Sequence, residues 1–224
     1  MSRAAPIAKA LPTEYPLATL RYGENFRAIL PQEWNSYRSP QQLAWLSKWS
    51  QWFFAGSLLS WGEQLLVEQR VYPLWQWTGS FSLNHQGFPE QISVSHLSLF
   101  AQSEVAQQQA LTQLITGFIS PVCTTLAGVS GHPLALFWSN AAVRLHQSMR
   151  RAAQKKVSTQ LLQDLFAATH LENGERNRLY QPFIMLDQAD KPAIMQRRHC
   201  CMRFHLDNEL CHSCPLDRCP TSKL

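Results

Sequence analysis

The sequence predicts an α+β fold: a mainly helical body with a small antiparallel sheet and a cysteine-rich hairpin at the C-terminal end. Apolar residues recur at helical spacing along most of the chain, and one central stretch instead alternates apolar and polar residues. Five of the six cysteines lie between residues 197 and 219. We therefore divide the 224 residues into an N-terminal arm, 1–38, a body, 39–190, and a C-terminal segment, 191–224.

The first predicted helix lies within the arm, around Glu24–Leu30. Ser39 and Pro40 then form a helix start, because serine caps the first turn and proline is favoured at the first helical position. In the tryptophan-rich stretch that follows, Gly56 and Gly62 predict a division into two helices. Helical spacing predicts three further helices, around 111–118 with an end at Ser120-Pro121, over 133–156, and over 158–168.

Two segments have the pattern of β-strands. Between residues 71 and 100, apolar and polar residues alternate on both sides of the turn signal Gly87-Phe88-Pro89, which predicts a β-hairpin. Residues 179–186 have an extended pattern, and Pro182 favours an edge position for them.

The charge distribution distinguishes the two ends of the chain. Seven basic and seven acidic side chains precede residue 144, whereas thirteen basic and eight acidic side chains follow, so the C-terminal third carries the net charge of +5. Such a field would attract an acidic protein or an anionic small molecule. Basic and aromatic residues are not interleaved in a compact motif, so nucleic acid is not an expected partner.

The composition also predicts the location of the protein. No apolar run approaches the 18 or more residues of a membrane span, so we expect a soluble protein with at most peripheral membrane contact. The first 24 residues lack the apolar region of a secretory signal. We therefore expect a cytoplasmic protein, whose cysteines stay reduced and serve metal or redox chemistry rather than disulfides.

Four cysteines have the spacing of metal ligands. Cys200 and Cys201 are adjacent; Cys211 follows after nine residues, and Cys214 completes a Cys-x2-Cys pair that can place two sulfurs on one metal. The intervening segment MRFHLDNEL alternates in polarity and predicts a hairpin with its turn at residues 207–208. Adjacent side chains of a strand point to opposite faces, so the chain must bend at the first pair. Spacing alone leaves a zinc ion and an iron–sulfur cluster about equally favoured.

The segment RRHCCMRFHLDNELCHSCPL, residues 197–216, resembles the C-terminal 2Fe–2S signature of the FhuF-type ferric siderophore reductases. The order of the thiols, the preceding arginines and the Cys-Pro-Leu after the last thiol match that signature, and LFWSNAA, residues 136–142, is similar to a Trp-x-Asn segment of the family. The nine-residue gap is one residue shorter than the family pattern, and Cys219 is an additional cysteine. The resemblance implies a 2Fe–2S cluster held by Cys200, Cys201, Cys211 and Cys214. Cys219 is an alternative to Cys200 as the fourth ligand.

The resemblance also implies a function. It is the one-electron reduction of a ferric siderophore, with hydroxamate donors expected, to release ferrous iron in the cytoplasm. The electron would come from a donor protein or another cellular reductant, since a 2Fe–2S cluster carries one electron. The expected contacts to substrate or donor are Trp138, Asn140 and Arg144 on one helix and Arg197, Arg198 and Arg203 beside the cysteines.

Other interpretations stay open from the sequence. A non-enzymatic binding or adaptor domain with a structural zinc site would use the same four cysteines, and a cluster protein without a siderophore site would also fit. His199, His205 and His212 allow a mixed histidine and cysteine ligand set. The chain has no glycine-rich phosphate loop and no complete hydrolase motif, which argues against a dinucleotide fold and against hydrolysis.

Overall fold

The computed structural model describes residues 14–31, 39–94, 98–188, 191–208, 210–211 and 213–216. The fold is mainly helical with small antiparallel sheets, which confirms the predicted α+β class. The helices are α1 (Gly23–Ile29), α2 (Pro40–Glu68), α3 (Glu104–Leu114), α4 (Ser120–Ser130), α5 (Leu134–Gln154), α6 (Gln160–Ala167) and α7 (Phe204–Asp207). The strands are β1 (Tyr15–Pro16), β2 (Arg70–Val71), β3 (Gly79–Leu83), β4 (Pro89–Val94), β5 (Leu99–Phe100), β6 (Phe183–Gln188) and β7 (Lys191–Arg197).

Helix α2 begins where the sequence predicted and forms the centre of the core. The Ser39 hydroxyl accepts from the Gln42 N–H, and the Gln42 side chain accepts from the Ser39 N–H, each at 3.2 Å. This reciprocal pair satisfies two amides that the helix itself leaves without acceptors. Further along α2, the fully buried Trp49 stacks on Phe53 with 5.4 Å between ring centroids. The tryptophan-rich stretch therefore packs the core.

The predicted division of this stretch into two helices is wrong, because α2 continues through both glycines. A Cβ at Gly56 would lie 3.0 Å from the Ile92 side chain of β4, and a Cβ at Gly62 would collide with Ser148 of α5. Both glycines thus allow close approach of a neighbouring element, and tertiary packing outweighs their low helix propensity.

The predicted helix end at Ser120-Pro121 is also wrong. The helical run continues from Glu104 to Ser130 through a π-helical turn at Ile115–Ile119. Proline lacks an N–H and cannot make the usual bond to the preceding turn, so the wider turn lies where that bond is lost. This run is long and apolar enough to cross a membrane by length and composition, but 56% of its most apolar window is buried inside the fold. That burial is typical of a core helix in a soluble protein.

The strands form three small antiparallel sheets, ordered β1-β3-β4, β2-β5 and β6-β7. The predicted hairpin around residues 87–89 is confirmed as β3 and β4. Within the predicted N-terminal arm, Leu17, Leu20 and Phe26 are fully buried in the main core, and α1 occurs where it was expected. Helix α5 packs along α2, and the β6-β7 hairpin leads the chain into the cysteines.

Candidate metal centre

The cysteine segment is fixed between the end of β7 and the first half of α5. The N–H of Arg197 donates to the carbonyl of Ser213 at 2.9 Å, which joins the residues before the first cysteine pair to the loop of the second pair. The Ser139 hydroxyl of α5 donates to the carbonyl of His199 at 3.5 Å. These bonds place both cysteine pairs on one side of α5.

The chain bends at the position that the adjacent cysteines required. Met202, directly after them, has φ of 60°, in the left-handed region that non-glycine residues rarely adopt. The next residues form the single turn of α7, where the sequence predicted an extended strand. Asn208 ends this turn with φ of 52° and directs the chain back toward the second pair. The turn is thus where it was predicted, but a helix precedes it because the bend at Met202 replaces strand geometry.

The four predicted thiols lie together, and all are free. The sulfurs of Cys201 and Cys211 are 3.7 Å apart. A tetrahedral metal about 2.3 Å from each sulfur would place two ligating sulfurs about 3.8 Å apart. Cys200 and Cys214 interact with each other and with this pair. Among the described residues, no group of three or more metal-binding side chains is arranged to hold a metal ion.

Backbone amides donate to three of the four sulfurs. The N–H of Met202 lies 3.3 Å from the sulfur of Cys200. In the same way, the N–H of Arg203 donates to the sulfur of Cys201, and the N–H of Leu216 donates to the sulfur of Cys214. Such donors favour the charged thiolate over the neutral thiol. The segment is therefore shaped to hold thiolates.

The thiols differ in acidity. The Cys201 thiol donates to Cys211, and this bond, with the charge of Arg197, lowers the pKa of Cys211 to about 7 although burial opposes the shift. The same bond, together with burial, raises the pKa of Cys201. Burial is also the main cause that raises the pKa of Cys200 and of Cys214. Cys211 thus supplies a thiolate near neutral pH, and the others require the charge of a bound metal to lose their protons.

Arg197 is a buried cation beside these thiols. It is 2% exposed, and no carboxylate of the described residues forms an ion pair with it. Its Nε and Nη2 each donate to the Ser139 hydroxyl at 3.2 Å, and Nη2 also donates to the side-chain oxygen of Asn140. Its charge lowers the pKa of three of the four thiols. A buried charge without a counter-charge costs several kcal/mol, and negative charge on the neighbouring sulfurs would lower that cost.

Asn140 connects Arg197 to helix α2. Its side chain is fully buried, and its Nδ2 donates to the hydroxyls of Ser50 at 2.8 Å and Ser47 at 3.1 Å. Its oxygen accepts from Arg197. Asn140, predicted as a contact to substrate or donor, supports Arg197 in this structure and has no surface for a ligand.

Two further cations join the site to α2. The Nε of Arg144 donates to the carbonyl of Gln51 at 3.1 Å, and burial, then the nearby Arg197, lowers the pKa of Arg144. Asp207 of α7 accepts from Lys48 of α2 at 3.3 Å and from Arg203 at 2.8 Å. The ion pair of Lys48 with Asp207 holds α7 on α2, whereas Arg203, another predicted contact, pairs with Asp207 four residues along its own segment.

A cavity of about 580 Å³ lies beside the first cysteine pair, within the range of about 300–1,000 Å³ of small-molecule sites. His199, which directly precedes the pair, forms part of its wall. So does Trp138, which is 4% exposed and whose indole nitrogen has no hydrogen-bond partner among the described residues. Three arginines also line the cavity: Arg176, Arg178 and Arg198.

Comparison with known proteins identifies the family. A family model described as "Ferric iron reductase FhuF-like transporter" matches residues 64–192, more than half of the chain. The chain belongs to the FhuF-like ferric iron reductase family. The matched residues end before Cys200, the first of the four candidate ligands, so the family match and the cysteine signature are independent observations. A search of curated proteins found no match.

In this FhuF-like protein the fold brings together the four predicted ligands with Arg197, and it places Trp138 and Arg198 on the cavity. Cys219 and His212 lie outside the described residues. Sequence reasoning missed Arg176, Arg178 and Tyr180, which line the same cavity. The basic excess of the C-terminal third was the available signal, but no local pattern assigned these residues to one site.

Proposed function

We propose that this FhuF-like protein is a ferric-siderophore reductase of the cytoplasm. It receives electrons from a cellular donor and reduces the ferric ion of a bound siderophore, which releases ferrous iron. The observation that carries the proposal is the set of four gathered thiols, with backbone donors to three sulfurs and the buried cation Arg197 beside them.

These residues fit a 2Fe–2S cluster. Cys200, Cys201, Cys211 and Cys214 would hold it, and the sulfurs of Cys201 and Cys211 have the separation of two ligands on one metal. A cluster bound there would supply one-electron reduction. The backbone N–H groups and Arg197 stabilise negative charge at the sulfurs, and this would favour the reduced state of a cluster bound there.

The substrate chemistry follows from the family, which supports reduction of ferric iron in general terms. The hard oxygen donors of a siderophore bind the ferric ion far more tightly than the softer ferrous ion. Adding one electron to the ferric ion therefore weakens the complex, and no acid, base or nucleophile of the protein is needed. The resemblance of the cysteine segment implies hydroxamate donors as the first substrate class to test.

Purification without air tests the cluster. We expect a red-brown full-length protein with about two iron and two sulfide per chain and an electron-spin resonance signal after reduction. Cys201→Ser should lose colour and signal, whereas the control Cys123→Ser should keep both, because Cys123 is a buried thiol of the main core. A colourless protein with zinc would support a structural zinc site and reject the proposal.

Reduction of substrate is a separate measurement. The reduced protein is mixed with a ferric hydroxamate siderophore while a ferrous-specific chelator traps the product, and Cys201→Ser serves as the negative control. We expect stoichiometric ferrous iron from the reduced protein. A protein that holds the cluster but releases no ferrous iron from any siderophore class would be an electron carrier without a siderophore site.

A further inference from the structure

We infer that the arginine-lined cavity beside the first cysteine pair is the siderophore site, and that it selects ferric complexes with a net negative charge. The identity of the ligand as a siderophore rests on the proposed function. The preference for negative charge rests on the residues of the cavity alone.

The described residues that line the cavity carry a net positive charge. None of its described lining residues is acidic, and none of its three arginines forms an ion pair with a described carboxylate. Arg198 is fixed in place, because its Nε donates to the carbonyl of Gln181 at 2.5 Å and its Nη2 to the Gln181 side chain at 3.2 Å. Neutral partners hold this guanidinium without cancelling its charge. Arg176 and Arg178 face the cavity from the preceding loop.

The walls of the cavity also suit a chelate that brings its metal close to the thiols. Trp138 and Tyr180 provide aromatic surface, and the buried indole nitrogen of Trp138 is a donor that lacks an acceptor among the described residues. His199 lines the cavity and directly precedes Cys200 in the sequence. A ferric complex in the cavity would therefore lie next to the cysteine site.

Siderophore classes differ in the charge of their ferric complexes. Three hydroxamates neutralise the ferric ion and leave no net charge, whereas catecholates, or hydroxamates with additional carboxylates, leave the complex negative. Guanidinium groups bind carboxylate and phenolate oxygens through charge-assisted hydrogen bonds. The three arginines thus favour the negative complexes over neutral or positive ones.

Binding is measured with gallium(III) complexes, which carry the charge of their ferric counterparts and are not reduced. Isothermal titration of the full-length protein compares gallium complexes of a synthetic tris-catecholate and a neutral synthetic tris-hydroxamate. We expect tighter binding of the tris-catecholate, with an affinity that falls as salt rises because ions screen the attraction. The tris-hydroxamate should show little response to salt.

Arginine variants assign the preference to this cavity. Arg176→Gln and Arg178→Gln should each weaken the tris-catecholate complex about three- to fivefold, and the double variant should weaken it about tenfold or more. Arg27→Gln is the matched control, because Arg27 is an exposed arginine of α1 outside the cavity lining. All variants exchange exposed side chains, and circular dichroism verifies their fold.

The two proposals fail separately. Equal or tighter binding of the neutral complex, or arginine variants that match Arg27→Gln, would overturn the inference about the cavity even if ferric hydroxamates are reduced. Binding that depends on the arginines would support the inference about the cavity even if the protein lacked the cluster or released no ferrous iron, and only the reductase proposal would then be rejected.

Discussion

Replacing Asn140 with alanine tests whether the buried charge of Arg197 depends on this side chain. The substitution removes the oxygen that accepts from Nη2 of Arg197 and leaves the guanidinium bonded to Ser139. A hydrogen bond to a charged group contributes about 1.5–3 kcal/mol. The lost bonds to two serine hydroxyls add about 1 kcal/mol, so we expect a loss of about 2.5–4 kcal/mol in the free energy of unfolding.

Asn177 provides a matched control. It is 2% exposed, nearly as buried as Asn140, and its Nδ2 donates to the carbonyls of Leu165 at 2.6 Å and Ala168 at 2.9 Å, but all its partners are neutral. Asn177→Ala should therefore cost about 1–3 kcal/mol. Adding Arg197→Met to each variant separates the two mechanisms, because only the Asn140 effect includes the penalty of an unsatisfied cation.

The assay is urea unfolding of the full-length chain, followed by circular dichroism in reducing buffer with a chelator, so that every variant has the same thiol state. We expect a coupling of about 1.5–3 kcal/mol between Asn140→Ala and Arg197→Met. Asn177→Ala and Arg197→Met should be additive within about 0.5 kcal/mol. Additivity in the Asn140 cycle would refute the conclusion that Asn140 supports the buried charge.

Two other predictions concern the free energy of unfolding. Alanine at two helical glycines should change it in opposite directions, and the contribution of one ion pair should depend on pH. In urea unfolding, Gly62→Ala should destabilise the protein by about 1–3 kcal/mol because its Cβ collides with α5. Gly128→Ala should stabilise it by about 0.5–1 kcal/mol, because no atom lies within 4 Å of the added Cβ. If both variants changed the free energy of unfolding in the same direction, the packing described for Gly62 would be contradicted. The hydrogen bond from Lys155, at 2.6 Å, holds the pKa of Glu63 below its usual 4.5, so the stabilisation is present above that pH and is lost as pH falls below it. Glu63→Gln should therefore cost up to about 1 kcal/mol at pH 7 and less at pH 3, while the exposed Glu68→Gln should change little at either pH; a cost that did not fall with pH would reject the ion pair as its cause.

Several local predictions agree with the structure because their causes are local. Ser39 caps α2 through groups three residues away, and the turn signal at residues 87–89 joins β3 to β4. The errors have tertiary causes. Gly56 and Gly62 do not end α2, because neighbouring elements pack against them, and Pro121 is accommodated by a π-helical turn inside a buried helix.

The sequence by itself determined the α+β class, the four candidate thiols and the resemblance to the family, since composition, period and cysteine spacing can be read along the chain. Only the tertiary structure decided what surrounds the thiols. Asn140 reaches Ser47 across 93 residues and Arg197 across 57, and this packing buries a cation beside the sulfurs. It also places two arginines of a loop and Arg198, directly after β7, around one cavity. Such contacts depend on how α2 and α5 pack together, and no local pattern in the sequence encodes that arrangement.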